Sequence, residues 1–367
     1  MKVLVTGADG FIGRNLRVAL AERDWEVLPI TRQSTDSELV ASIAEADAVI
    51  HLAGVNRPQD PSEFAIGNSD FTGRLSAALT ASGRALPVAF ASSIQADRNN
   101  PYGLSKRDAE MHLDTYGQVS GAPVAIYRLA NVFGKWSRPN YNSAVATFCH
   151  NIARDLPIRI DNPDAQVQLV YIDDVVAELV QFLQEPGQGV RQTKAGPVYT
   201  TTVGELAQQI EAFKDVRKSL VTERVGTGLV RALYSTYVSF LPNESFSYEV
   251  PKYGDARGVF VEMLKTPDCG QFSFFTAHPG ITRGGHYHHT KTEKFLVIKG
   301  RARYRFRHLI TDETFEVDSQ GNTPLIVETI PGWAHDITNI GDDELVVMLW
   351  ANEIFDRDKP DTVASAV

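Results

Sequence analysis

Residues 2–13 constrain the fold more than any other stretch. Lys2–Thr6 is an apolar run of strand length, Gly7-Ala-Asp-Gly10-Phe-Ile-Gly13 follows at once, and 11–23 is amphipathic with a helical period. A strand that turns through glycines straight into a helix is the opening unit of a parallel, doubly wound sheet, because the helix must return over the sheet before the next strand can pair. The glycines let the backbone turn tightly and approach a pyrophosphate, whose charge the helix N-terminus meets. Gly7, Gly10, Phe11, Ile12, Gly13 and Arg14 are therefore the expected contacts on the phosphate side of a dinucleotide. Three glycines can also be a tight turn and nothing more; the strand-turn-helix frame favours binding.

Further strands are expected at 26–30, 47–51, 88–91 and 124–129, with a long helix at 61–83 and another starting at Tyr102. This alternation implies ligands at the carboxyl ends of the strands. After the second strand a fold selective for NAD usually offers an acid to the ribose hydroxyls. Arg32 stands there instead, and with Arg14 it can pair with a 2′-phosphate, which favours NADPH over NAD. The other reading is that both arginines are solvated. Leu52-Ala53-Gly54 lets the backbone pass close to the adenine side of the same cofactor.

Pro101-Tyr102-Gly-Leu-Ser-Lys106 places a phenol one helical turn before an ammonium, downstream of Ser92-Ser93. The two side chains share a helix face, and the ammonium favours the phenolate, so the pair is an acid/base device for a carbonyl. Tyr248/Lys252 and Tyr287/Lys291 repeat the spacing without a preceding glycine turn or serine-ended strand, and are read as coincidence.

A chain of 367 residues is long enough for two cores, and its formal charge of −9 argues against nonspecific nucleic-acid binding. No signal-peptide core and no apolar run near about 18 residues is present, so a cytoplasmic protein with no membrane partner is expected. Cys149 and Cys269 suggest no disulfide framework. Between about 240 and 253 the pattern changes to closely spaced strands, expected at 271–277, 293–299, 301–307, 314–317, 325–330 and 344–349, which argues for a sandwich or barrel. The domains are expected at 1–243 and 244–367. His286 and His288 alternate on an extended segment, and with Glu293 and His335 they make a donor set for a divalent metal with positions left for a substrate.

Thr6 to Gly13, His51 to Gly54, Asn68, Ser92-Ser93, Tyr102-x-x-x-Lys106 and Arg128-Leu-Ala-Asn131-Val-Phe-Gly134 resemble the extended short-chain dehydrogenase/reductase family, many of whose members act on nucleotide sugars. The resemblance implies that Tyr102 donates or accepts the proton, that Lys106 lowers its pKa and holds the nicotinamide ribose, and that Ser93 hydrogen-bonds the reacting oxygen. It implies further that Asn131 faces the sugar-nucleotide diphosphate, which the basic and aromatic stretch from Lys135 to Asn142 also suits. In the second region Gly280-x5-His286-Tyr-His288-x4-Glu293-x6-Gly300 and Pro331-Gly332-x2-His335-x3-Asn339 match the two cupin motifs, the second with Pro331 and Gly332 adjacent and Pro324 for its leading glycine. That resemblance implies a small β-barrel with zinc on His286, His288, Glu293 and His335; some cupins have no metal, so an empty polar barrel stays open. The segment 254–262 is similar to the entry of deoxysugar 3,5-epimerases, where Arg257 contacts the diphosphate.

The pairing of the two halves resembles the bifunctional capsular polysaccharide synthesis enzymes. What that implies is a homodimer whose cupin epimerises C3 of a UDP-linked 4-keto-2-acetamido-2,6-dideoxyhexose, with His289, Lys291 and Tyr304 as open choices of base. The reductase then uses NADPH at C4, giving UDP-2-acetamido-2,6-dideoxy-L-talose on the route to UDP-N-acetyl-L-fucosamine. An epimerase or dehydratase with tightly held NAD(P) and a structural cupin is the alternative, and a cofactor-sensing regulator a further one.

Overall fold

The computed structural model describes residues 1–250, 252–255, 258–261, 264, 270–353 and 358–367, with 252–255, 258–261 and 271 described in their backbone course. It divides into two compact units, the first made of 1–143 and 167–200 and the second of 144–166 and 201–367.

The first unit is the expected doubly wound α/β layer. Its six strands run in the order Glu26–Ile30, Lys2–Thr6, Ala48–His51, Val88–Ser93, Val124–Leu129, Val190–Thr193, and every neighbouring pair is parallel. Strands covered on both faces are apolar throughout, and Leu4, Val49, Val88, Phe90, Val124 and Ile126 fill the core with Leu75, Leu79 and Leu113 from the covering helices. The chain order reverses beside Lys2–Thr6, so the crevice at that strand's carboxyl end is the natural ligand site. The helix expected over 61–83 is interrupted: Ser62–Phe64 and Phe71–Ala81 flank a π-helical stretch, Ala65–Asp70. Helix Asp36–Glu45 was not anticipated, although Thr35 and Glu38 form a reciprocal capping box at its start.

The second unit carries two five-stranded sheets, as expected of a cupin. One has the order Ser247–Glu249, Leu325–Glu328, Glu293–Lys299, Leu345–Ala351, Gln271–Ala277; the other has Thr314–Gln320, Arg301–His308, Trp333–Asn339, Thr282–Tyr287, Val363–Ala364. Their named pairings are antiparallel. Lys252–Asp255 and Gly258–Val261 form a separate hairpin. Helices Ala144–Ile152, Val203–Ser219 and Gly228–Ser239 belong to this unit and pack on one another. The last is buried at every position from Ala232 to Val238, with Tyr234 and Tyr237 against the ring of Phe213. Among the described residues no helix is long and apolar enough to cross a membrane.

Candidate active sites

In the first unit the helix Pro101–Ser120 is set by its ends. Asn100 caps it by accepting from the Gly103 N–H at 2.8 Å, Pro101 supplies a preset first turn, and Gly121 ends it in the left-handed region. The paired tyrosine and lysine thus sit where the helix meets the carboxyl end of strand Val88–Ser93. By contrast Tyr248 lies on one strand and Lys252 on another, so that repeat of the spacing does not fall on a helix.

Lys106 is buried; its Nζ donates to the Ala91 carbonyl at 3.0 Å and lies 4.9 Å from the centre of the Phe90 ring. Burial pulls the ammonium down to about 8, against the opposing charge of Glu110. Burial likewise raises the Tyr102 phenol, and the Ser93 hydroxyl beside it works in the other direction. In this geometry burial, rather than the ammonium, dominates the phenol and keeps it protonated. The two serines divide their roles: Ser92 donates to Glu110, whose carboxylate Arg128 holds from Nε at 3.0 Å and from Nη2 at 2.6 Å. Ser92 is thereby occupied in a buried network, and Ser93 is the one facing the tyrosine.

The glycine turn fits a dinucleotide. Gly7 has φ +67°, and a Cβ there would stand 2.8 Å from the Ala53 nitrogen. A Cβ on Gly13 would meet the Gly7 carbonyl at 2.4 Å, so the helix can start this close only without one. Gly10 caps helix Phe11–Ala21 with no side-chain acceptor, which leaves first-turn N–H groups for an anion. Arg14 adds a buried Nε with no hydrogen-bond partner among the described residues. Arg32 is exposed just past Glu26–Ile30, while Leu52 and Ala53 lie against Gly7 and Gly54 lies beside Asn68 and the Lys106 ammonium.

The inner wall of this crevice is a hydrogen-bonded chain. Thr72 Oγ1 donates to the Asn68 carbonyl at 2.6 Å and so accepts from His51 Nε2 at 2.8 Å; His51 Nδ1 then accepts from Thr6 Oγ1 at 2.6 Å. Thr6 Oγ1 in turn accepts the N–H groups of Leu52 and Ala53, both at 3.2 Å. Burial drives His51 down to about 3, so it is a neutral link rather than an acid. Asn68, within the π-helical stretch, pins Val55 from both sides and reaches Ser105 at 3.0 Å. Thr6, His51 and Asn68 fall within the motifs that carry the resemblance, whereas Thr72 and the hydrogen bonds that join the four leave no signal of their own in the sequence.

Asn131 is exposed and donates to the Gln168 carbonyl at 2.9 Å. Lys135 does not stand on an open loop: it is buried, and its ammonium pairs with Asp173 at 2.6 Å. Arg257 and Cys269 lie outside the described residues, while Cys149 is a buried free thiol.

In the second unit the four expected metal ligands come together. One ligand atom from each of His286, His288, Glu293 and His335 lies within 4.8 Å of all the others. A register shift between Gly284 and His286, with φ +98° and +72° at Gly284 and Gly285, turns His286 in beside its cross-strand partner His335. Their ring centres are 4.7 Å apart. His288 Nε2 is 3.1 Å and His335 Nε2 3.6 Å from the same Glu293 oxygen. Both ring nitrogens of His335 are buried without a hydrogen-bond partner among the described residues. Three imidazoles and a carboxylate converging in a buried pocket, with orphaned nitrogens, are the donor set a borderline divalent ion takes. Of the suggested bases, Lys291 Nζ is 3.4 Å from Glu293 Oε1, and Tyr304 is buried with no partner for its hydroxyl among the described residues.

The NAD dependent epimerase/dehydratase family matches residues 3–195, and the polysaccharide biosynthesis C-terminal domain matches 253–363. A UDP-2-acetamido-2,6-beta-L-arabino-hexul-4-ose reductase of Pseudomonas aeruginosa is 60% identical over 368 aligned positions, covering 100% of this chain and 99% of the relative. The crystal structure of the capsular polysaccharide assembling protein CapF of Staphylococcus aureus is 39% identical, with a TM-score of 0.68 over 100% of both chains. A UDP-glucose 4-epimerase of Thermotoga maritima shares the fold of the first part, at 21% identity and a TM-score of 0.53 over 58% of this chain and 82% of that one. The chain belongs to the NAD dependent epimerase/dehydratase family, as an oxidoreductase of the sugar-nucleotide epimerase and reductase kind that carries a polysaccharide biosynthesis C-terminal domain.

Proposed function

We propose that the chain carries two activities on one sugar nucleotide. Residues 244–367 epimerise C3 of a UDP-linked 4-keto-2-acetamido-2,6-dideoxyhexose, and 1–243 reduce its C4 ketone with NADPH, giving UDP-2-acetamido-2,6-dideoxy-L-talose on the route to UDP-N-acetyl-L-fucosamine. The observation that carries this reading is the meeting of Ser93, Tyr102 and buried Lys106 at the end of the parallel sheet, in a chain 60% identical to a 4-keto-sugar reductase. A phenol that burial keeps protonated suits the reductive direction, in which Tyr102 must give a proton to the developing C4 oxygen. Ser93 hydrogen-bonds that oxygen, and Lys106 sets a positive charge behind the site. NADPH, when bound over the glycine turn with Arg14 and Arg32 at its 2′-phosphate, supplies the hydride.

In the second unit the C4 ketone acidifies the neighbouring C3–H. His286, His288, Glu293 and His335 would hold zinc, which supplies a Lewis acid for the C4 oxygen. Asn131, Arg257 and, once released from Asp173, Lys135 are proposed diphosphate contacts. Exposed Phe272 and Phe274 on the sheet-edge strand Gln271–Ala277 support a homodimer, and the working compartment is proposed to be the bacterial cytoplasm.

Incubation with a UDP-4-keto-6-deoxy-N-acetylhexosamine in D2O, followed by NMR at C3 and by absorbance of the nicotinamide band, tests both halves. Deuterium enters C3 without NADPH, and cofactor is oxidised when it is added. Cofactor oxidation without deuterium would reduce the barrel to a structural part, and tightly held cofactor with no net oxidation would favour the epimerase or dehydratase alternative. A second expectation concerns pH. Lys106, down at about 8, keeps its positive charge below that value and loses it above, so kcat/KM for reduction should be level toward neutral pH and fall as pH rises through about 8. A profile that stays level to pH 9.5 would remove Lys106 from the role given to it.

A further inference from the structure

The segment 358–367 reaches back to the loop that carries His288. The Asp361 carboxylate accepts three successive backbone N–H groups, from His289 at 2.8 Å and from Thr290 and Lys291 at 2.7 Å each, together with the Thr290 hydroxyl at 3.1 Å. Its own carbonyl oxygen accepts from His288 Nδ1. A carbonyl can only accept, so the proton is on Nδ1, and Nε2 is the nitrogen turned toward Glu293. Beyond it, Val363–Ala364 pairs with Tyr287 and His286, and the Ser365 N–H donates to the Gly285 carbonyl at 2.9 Å. Two of the four clustered donors are thus held in place by residues some seventy positions later in the chain.

We propose that Asp361 is a positioning residue of the metal site, fixing through its carboxylate the loop 289–291 and through its carbonyl the ring orientation of His288. The inference rests on the reading of His286, His288, Glu293 and His335 as metal ligands. A carboxylate that gathers three consecutive amides leaves the loop one conformation, and a ring whose Nδ1 is already engaged offers Nε2 without a rotamer search. Partners of this outer kind are typically worth about 10–100-fold in metal affinity. Lys291 is drawn into the same arrangement, its Nζ donating to Thr362 at 3.0 Å.

The test is zinc affinity, measured by competition with a chromophoric chelator on the full-length protein, beside the visible spectrum of the cobalt-loaded form. Asp361→Ala should bind zinc about 10–100-fold more weakly than the wild type, and Asp361→Asn, which keeps the shape but turns one acceptor into a donor, should weaken it by a smaller factor and shift the cobalt spectrum. A cooperative thermal transition with wild-type far-UV circular dichroism reports that either variant has folded. Asp318→Ala, which removes an exposed carboxylate on strand Thr314–Gln320 that pairs with Arg303 at 2.8 Å, should keep wild-type zinc affinity. Wild-type zinc affinity and an unaltered cobalt spectrum in folded Asp361→Asn would overturn the inference while leaving the ligand set intact. A folded wild type that takes up no divalent metal would overturn the metal reading and this inference with it.

Discussion

Tyr102→Phe should lower NADPH-dependent reduction of the 4-keto sugar by about 10²–10⁴-fold, the range a positioned general acid contributes, and leave deuterium exchange at C3 unchanged. The substitution removes one oxygen and little else. The ring stays 5.5 Å from that of Phe64, the Asn100 cap and Pro101 still start the helix, and Lys106 keeps its bond to Ala91. A hydride can still approach C4, but the oxygen must then take its proton from water or from Ser93. Ser92→Ala makes the informative contrast. Its hydroxyl is bonded to Glu110 within the Arg128 network, so its loss should cost stability and not turnover. Stopped-flow absorbance of single turnovers separates the chemical step from product release. Full reduction by Tyr102→Phe would sink the assignment of the site.

The difference between these two adjacent serines shows where sequence reasoning reaches and where it stops. Glycines at Gly7 and Gly13 are legible because each has a backbone reason, a positive φ or an approach closer than a Cβ allows. The Tyr102 helix is legible because cap, proline and pairing all sit within one turn. The strands over 293–299 and 301–308 alternate or run apolar and were anticipated nearly to the residue. Thr282–Tyr287 was read only as an extended segment around His286, and Trp333–Asn339 was not read as a strand, because its buried positions include histidine, aspartate and asparagine where packing alone would place aliphatic residues. Those are the strands that bring His286 and His335 together, so the chemistry that identifies the site is what hides its scaffold. Lys135 shows the other limit. A lysine beside tryptophan and arginine reads as an open basic loop, and only the fold brings up Asp173 from thirty-eight positions later to bury it. The π-helical stretch that sets Asn68 leaves no mark in composition, since it differs from its flanking turns in hydrogen-bond register and not in residue type.

Glu328→Ala should destabilise the second unit by about 3–5 kcal/mol, the cost of stripping the partner from a buried charge. Glu328 and Lys294 are both buried in the sheet that holds Glu293–Lys299, and they pair directly. Arg217 from helix Val203–Ser219 closes on the other carboxylate oxygen, and its guanidinium lies 5.0 Å from the centre of the Tyr248 ring. Tyr248 accepts from Lys294 at 3.1 Å, and the Tyr234 hydroxyl stands 3.5 Å from Glu328. One carboxylate therefore balances two cations, and removing it leaves both without that counter-charge, the Lys294 ammonium buried and the Arg217 guanidinium largely so. Burial pushes the Glu328 carboxyl up, but Lys294 and Arg217 outweigh it and hold it below its ordinary 4.5. A lowered carboxylate contributes its stability above its unfolded value and loses it as pH falls through the folded one, so the wild type should weaken below about pH 4.5 while Glu328→Ala, already without the pair, changes less. Adding Lys294→Met to Glu328→Gln should recover part of the loss, because one of the stranded charges is then gone. Arg217 and Tyr234 lie before residue 244, so a fragment that starts there lacks these two members of the network and the aromatic packing of Phe213 and Tyr237, and should fail to melt cooperatively. Equal melting temperatures for wild type and Glu328→Ala at pH 7 would show that the helices are held to the sheet by packing alone.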